Sequence, residues 1–317
     1  MNKLLRQCAL LTTLFFASAL ALAEGVLKDY PAARIAPHTY VIQGPMGFPS
    51  VENQGFMNNP AFVLTRDGVV VIDPGSSVQA GRMVLRQIAK VTAKPVTHVI
   101  NTHVHGDHWL GNQAILDAYP KAVLIGHPDM IRQARDGAAE QWVSFMASAT
   151  KGFTSGTRAA IPSEAIDEGQ ELKTGGMTFR IYAPKNAHSH TDMMIHLVED
   201  SVLFGGDNLL YKRIARMDDG TFAGSIAACD KAIGIGAKHY VPGHGLVGDV
   251  AIAKAYRDYL ATLLAEVRRQ HEAGKADFEM KDAVVAKLQP YRDWVNFDDE
   301  VGRHISLAVL EIEGEGF

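Results

Sequence analysis

Residues 101–109 read Asn101-Thr102-His103-Val104-His105-Gly106-Asp107-His108-Trp109 and directly follow the apolar run Val96-Thr97-His98-Val99-Ile100. A β-branched run of that length predicts a short buried strand, which puts the histidines at its carboxyl end. Three imidazoles and one carboxylate within six residues are nitrogen and oxygen donors of the kind that borderline divalent cations prefer. On extended backbone His103 and His105 share a face, because alternate residues of a strand point the same way. Gly106 lets the chain turn, so Asp107 and His108 are directed differently, towards a second cation. The stretch supplies half of a metal site, and the remaining ligands must come from elsewhere.

Upstream, residues 61–65 and 69–73 predict two strands joined by the tight turn Arg66-Asp67-Gly68. Asp73-Pro74-Gly75-Ser76-Ser77 then breaks the second strand and caps a helix whose apolar positions are Ala80, Met83, Val84 and Ile88. Residues 39–43 predict a further strand, and 46–59 a loop with apolar tips that either covers a pocket or tucks back onto the core. Downstream come a helix over 111–119, a strand over 122–125 and a helix opening at His127-Pro128. Residues 136–162 form a polar helical insertion, either a wall of a substrate pocket or a solvated elaboration. Strands follow at 177–182, 193–198 and 201–204, then a helix over 224–235 and a strand over 239–241. Strands interspersed with helices define an α/β fold. Beyond residue 250 the pattern is helical, with one stripe through Tyr256, Leu260, Leu263, Leu264 and Val267 and another through Val301, Ile305, Val309 and Leu310.

Composition narrows the function classes. With 47% hydrophobic and 21% charged residues and a formal net charge of −4, the chain has neither a basic footprint for nucleic acid nor a polybasic run for a membrane surface. A small-molecule substrate is the expectation, and oligomeric state is not legible. Met1-Asn2-Lys3-Leu4-Leu5-Arg6 leads into an apolar run over 8–23 that ends Ala21-Leu22-Ala23, the pattern of a signal peptide cleaved after Ala23. The expectation is export, to the periplasm of a Gram-negative source and otherwise to the medium, with no stable membrane insertion after cleavage. Cys8 is then lost, and Cys229 remains as a small buried hydrophobe with no disulfide partner.

Three later turns repeat the arrangement of the first. Ala187-His188-Ser189-His190-Thr191-Asp192 follows one predicted strand, Gly205-Gly206-Asp207 ends another, and Pro242-Gly243-His244-Gly245 ends a third. The chain resembles the metallo-β-lactamase superfamily, whose pattern is H-x-H-x-D-H followed by a His, a Gly-Asp and a Gly-His, and the Asp73-Pro74-Gly75 turn also fits. The resemblance implies an αββα sandwich, two mixed sheets face to face with helices outside. With the sequence pattern it gives three expected segments: the signal peptide at 1–23, a catalytic domain over 24–250, and helices over 251–317 packed on that same domain.

It also implies two Zn(2+) per chain, with iron or a mixed pair as alternatives. His103, His105 and His188 would hold the first metal, Asp107, His108 and His244 the second, and Asp207 would bridge them. Both His188 and His190 stand in the third motif; the Ala-His-x-x-x-Asp spacing ending at Asp192 favours His188, leaving His190 in the pocket or behind the ligands. The implied activity is metal-dependent hydrolysis, a metal-bridging hydroxide oriented by Asp107 attacking an ester, thioester, lactone or amide carbonyl. His108 together with Asp207 resembles glyoxalase-II-like thioesterases, lactonases and quinoprotein-associated hydrolases more than dedicated penicillin-cleaving enzymes. Two alternatives stand beside it: β-lactam hydrolysis and an iron-dependent redox enzyme of the same fold. Near the motifs, Trp109, Lys185, His190, Asn208 and Tyr211 are substrate-contact candidates, and Lys212, Arg213 and Arg216 add charges able to meet a carboxylate.

Overall fold

A computed structural model describes residues 25–314; the expected export signal, with Cys8, lies outside the described residues. The first half of the chain forms β1 (Ala32–Arg34), β2 (Thr39–Ile42), β3 (Ala61–Leu64), β4 (Val69–Ile72), α1 (Val78–Val91), β5 (Val96–Ile100), α2 (Gly106–Trp109), α3 (Asn112–Ala118), β6 (Val123–Gly126), α4 (Pro128–Gln133), α5 (Ala139–Ala149) and β7 (Glu164–Ala165). The second half forms β8 (Glu171–Thr174), β9 (Met177–Tyr182), β10 (Met194–Leu197), β11 (Val202–Tyr211), α6 (Phe222–Ile235), β12 (His239–Gly245), α7 (Ala251–Glu272), α8 (Asp277–Lys287) and α9 (Phe297–Gly314). Among the described residues the strands make two mixed sheets, ordered β1-β2-β3-β4-β5-β6-β7 and β12-β11-β10-β9-β8. This is the αββα sandwich that the resemblance implies.

The continuous apolar strands explain why two sheets stack with helices on both outer faces. In β4, Val70 and Ile72 join Val63, Ile100 and Ile125 in the core between the sheets, while Val69 and Val71 point outward onto α1 through Met83, Val84 and Ile88. In β11, Val202 and Phe204 enter the central core and Leu203 points outward to the helical layer. A strand buried on both faces needs no polar alternation, which is why these segments read as apolar runs. The predicted cap of α1 forms through Ser77, whose hydroxyl accepts from Ala80 N at 3.1 Å. The hairpin turn at Asp67-Gly68 also forms, with Leu64 opposite Val69.

Helices α6, α7, α8 and α9 share one apolar layer with the outer face of the second sheet, through Leu203, Tyr240, Tyr256, Leu260, Val284, Val301 and Ile305. Two expectations are corrected. The strand expected to stop at Phe204 runs on to Tyr211, and the turn expected at Pro242–Gly245 is the end of β12. These glycines do not break the strands, because β11 and β12 pair in parallel with register shifts between Phe204 and Gly206 and between Gly206 and Leu210. The shifts, with Gly206 at φ 53°, bend the paired edge so that Asp207 and His244 face the first sheet's loop. Sequence patterning also missed the short edge strands β1, β7 and β8, which hold two to four residues each and are exposed or half-buried.

Candidate metal centre

The ends of four strands converge at one rim of the sandwich. His103 follows β5, His105 sits at the N-cap of α2 with extended backbone, and Asp107 and His108 occupy its first turn. His188 comes from the loop after β9, Asp207 from the bent part of β11, and His244 from the end of β12. Three triads have one donor atom from each member mutually within 4.8 Å: His103/His105/His188, His103/His108/Asp207 and Asp107/His108/His244. His108 Nε2, His244 Nε2 and Asp107 Oδ2 are 3.3, 3.1 and 3.5 Å apart in pairs, and His188 Nε2 lies 3.0 Å from His105 Nδ1. A tetrahedral cation with bonds of roughly 2.0–2.1 Å spaces its donors about 3.3 Å apart. Asp207 reaches both groups, with Oδ1 3.2 Å from His108 Nε2 and Oδ2 3.6 Å from His188 Nε2.

The partners outside the cluster settle which ring nitrogens face inward. His108 donates from Nδ1 to Asp73 Oδ2 at 2.8 Å, and His244 from Nδ1 to the Met57 carbonyl at 2.8 Å. In their neutral forms the two rings therefore aim Nε2 lone pairs at each other across 3.3 Å, an arrangement that a cation between them relieves. His103 Nδ1 meets Thr102 Oγ1 at 3.0 Å, that hydroxyl donates to Asp73 Oδ2 at 2.6 Å, and His103 Nε2 is buried without a protein partner. His105 gives Nε2 to Asp219 at 2.9 Å, leaving Nδ1 for the cluster. Buried polar atoms normally have partners, so these inward-facing donors fit metal ions.

Protonation in the bare cluster follows the same geometry. Burial penalises the charge on His108, yet the surrounding carboxylates of Asp107, Asp207 and Asp73 outweigh it and hold its pKa well above the ordinary imidazole value. Burial also opposes ionisation of Asp107 and Asp207, and the imidazoles of His108 and His244 overcome it, holding both carboxyls low. Burial dominates at His103, whose pKa is well depressed, and at His188, pushed down to about 3, so both present neutral ligating rings. Asp192 is no ligand: it accepts from Ser189 N and Oγ at 2.7 Å each and closes the loop that carries His188.

A cavity of ≈ 380 Å³ opens onto this cluster, exposing His105, Asp107, His188, Asp207 and His244. Its apolar wall comes from Phe48 and Pro49 of the 46–59 loop and from Trp142, Phe145 and Ala149 of α5, and Arg213 and Arg216 line it beside Phe48. The loop thus divides its apolar residues, since Phe56 is in the core while Phe48 reaches the cavity and Met57, itself buried, borders it.

None of the five substrate-contact candidates lines it. Trp109, the last residue of α2, is fully buried, its Nε1 donating to Val104 O at 2.8 Å. Asn208 follows a ligand on a strand, is buried and bonds Gly205 O, and Tyr211 stacks edge-on against Trp294. Lys185 lines a separate surface pocket with Tyr182 and Lys231, and His190 is exposed and bonds Asn186. Adjacency in sequence to a ligand placed them near the rim but pointed them elsewhere. Of the aromatic residues at the cavity, Trp142 has its ring centre 5.1 Å from that of His105.

Fold and site together define an αββα protein whose His/Asp cluster is able to hold metal. Residues 54–244 match the family model for the metallo-beta-lactamase superfamily, and the chain belongs to that superfamily. Similar curated proteins include the atrochrysone carboxyl ACP thioesterase of Emericella nidulans, 28% identical over 160 residues that cover 50% of this chain and 42% of that one. The atrochrysone carboxyl ACP thioesterase AgnL7 of Paecilomyces divaricatus is 26% identical over 224 residues, covering 69% of this chain and 58% of the relative. The chain thus spans about half the length of these relatives. Among solved structures, a metallo-beta-lactamase from Pontibacter korlensis aligns with a TM-score of 0.58 at 18% identity, over 73% of this chain and 98% of that one. A double mutant of the sec-alkyl sulfatase PisA1 aligns with a TM-score of 0.64 at 15% identity, over 80% of this chain and 45% of that one. These two likenesses are of fold.

Proposed function

We propose that the protein is an exported hydrolase that uses two zinc ions to cleave an activated acyl compound, a thioester foremost. The observation that carries this reading is the pair of triads, His103/His105/His188 and Asp107/His108/His244, with Asp207 between them. The names of the curated relatives support the thioester among the carbonyl substrates, with esters and lactones next to it.

Cations bound in the two triads supply Lewis acidity to the carbonyl oxygen and a water acidified towards neutrality. His103, His105 and His188 hold one of them and Asp107, His108 and His244 the other. Asp207 lies against both, and Asp73, Asp219 and the Met57 carbonyl fix the ring orientations from outside. Asp107 faces the cavity, where its carboxylate orients the attacking water. Phe48, Trp142 and Phe145 pack against the acyl portion and keep bulk water from it. No protein nucleophile is required, and Cys229 is buried with its thiol pKa raised by that burial.

The test is metal quantitation beside a panel of thioester, ester, lactone, β-lactam and alkyl sulfate substrates. The reading expects two zinc ions per chain and the highest kcat/KM on a thioester. One iron per chain with oxygen consumption would replace it with the redox reading, and preference for a β-lactam would replace the substrate.

A further inference from the structure

Arg213 stands at the cavity wall with 3% of its surface exposed, and its Nε and Nη1 are buried without a hydrogen-bond partner. A guanidinium folded into such a place without an acceptor is one of the costlier arrangements a chain can hold. The carboxylates whose fields reach it most strongly are Asp207 and Asp107, and both face the metal triads. The other acids on the cavity rim are engaged: Asp218 pairs with Arg303 and Asp219 with His105. Arg216 lines the same cavity, half-exposed, with Glu300 Oε1 3.9 Å from its Nε. Both guanidiniums lie over the Phe48 ring, at 5.5 and 5.1 Å from its centre.

The arm that carries them is fixed by the C-terminal helices. Val295 N donates to Lys212 O at 3.0 Å and Ile214 N to Val295 O at 2.9 Å, while His304 Nε2 donates to Ala215 O at 2.8 Å. Arg213 is thus held in place by backbone contacts that make no use of its charge. Apart from the contact with the Phe48 face, that charge and its two unpartnered nitrogens are available for a ligand.

We propose that Arg213, backed by Arg216, binds an oxyanion group of the substrate, a carboxylate or a group of like chemistry remote from the scissile carbonyl. The substrate is then an anionic acyl compound whose apolar portion lies on Phe48, Trp142 and Phe145. The identification of the ligand as substrate rests on the hydrolase reading; the anion site itself does not.

Calorimetric titration of the zinc-loaded protein with 4-phenylbutane-1-sulfonate, a weak metal ligand, and with the neutral 4-phenylbutan-1-ol tests the site without turnover. The sulfonate is expected to bind the wild type at least tenfold more tightly than the alcohol. Arg213→Met should reduce that preference at least tenfold, and Arg213→Lys should retain part of it. Without ligand, Arg213→Met should melt at the wild-type temperature or above, because an unpaired buried charge has been replaced by an apolar side chain of similar length. Equal binding of sulfonate and alcohol by the wild type overturns the proposal. So does undiminished sulfonate preference in Arg213→Met, or an Arg213→Met protein that fails to fold. If the site discriminates as expected while no acyl compound is hydrolysed, the anion site stands and the hydrolase reading falls.

Discussion

The carboxylate of Asp73 lies 2.8 Å from His108 Nδ1, and the same oxygen accepts the Thr102 hydroxyl that meets His103. One residue outside the cluster therefore sets the ring orientation of a ligand in each triad. It does so from the Asp73-Pro74-Gly75 turn, at a φ of 49° that aspartate tolerates better than most residues. Asp73→Ala should weaken zinc binding roughly 10- to 100-fold. Competition against a chromophoric chelator reads this, with far-UV circular dichroism to show that the fold persists.

Gly243 makes room for Asp207. A Cβ at this position would overlap Asp207 Oδ1 and crowd the Gly206 backbone, so the carboxylate has to shift. Gly243→Ala should displace the carboxylate that lies between the triads, so metal content per chain falls below that of the wild type. Unchanged stoichiometry in the variant would show that Asp207 is not placed by this contact.

Trp142 tests the apolar wall. Its ring packs against His105 on one side and edge-on against Phe145 on the other. Trp142→Ala removes aromatic area from the acyl side, worth about tenfold or more in binding of a substrate that covers it. The KM for a long-chain or aryl thioester should rise by that factor relative to the KM for an acetyl thioester.

His304 gives the fold a pH dependence distant from the metal ligands. It is fully buried, accepts from the Tyr259 hydroxyl at Nδ1 across 2.9 Å, and donates from Nε2 to Ala215 O. Burial lowers its pKa from 6.5 to about 4. The unfolded chain therefore binds a proton in the window from 6.5 down to 4 that the folded chain does not. Stability is fully present above 6.5 and decreases as pH falls to about 4, by about 3 kcal/mol. Urea unfolding at pH 7 and pH 4.5 checks the direction, and His304→Gln should lose that part of the slope.

Much of the site was legible because its donors follow apolar runs. His103, Asp207 and His244 each come after a largely apolar run, and Gly beside Asp207 and His244 marks a change of direction. The ends of those strands were not legible: Gly205-Gly206 and Pro242-Gly243 carry turn signals, yet parallel pairing between β11 and β12 absorbs them as bulges. Trp109 and Asn208 misled by sequence proximity, since a neighbour on the backbone points away from the ligand's face. Trp142 and Phe145 belong to an insertion whose local pattern is merely helical, and only packing shows which face meets the cavity. Asp219 gave no signal, because its partner His105 is 114 residues away and nothing in its own surroundings marks it.

If two metal ions held by these triads hydrolyse an acyl substrate, Asp107 is a working part of the reaction. This is tested most directly by measuring zinc per chain and thioester hydrolysis on the same preparations of wild type and Asp107→Asn. The account expects two zinc ions and turnover in the wild type. In the folded variant it expects loss of zinc from the Asp107/His108/His244 triad and a fall in kcat of about 100-fold or more. A fully metallated, folded Asp107→Asn protein that hydrolyses the thioester at the wild-type rate would contradict it.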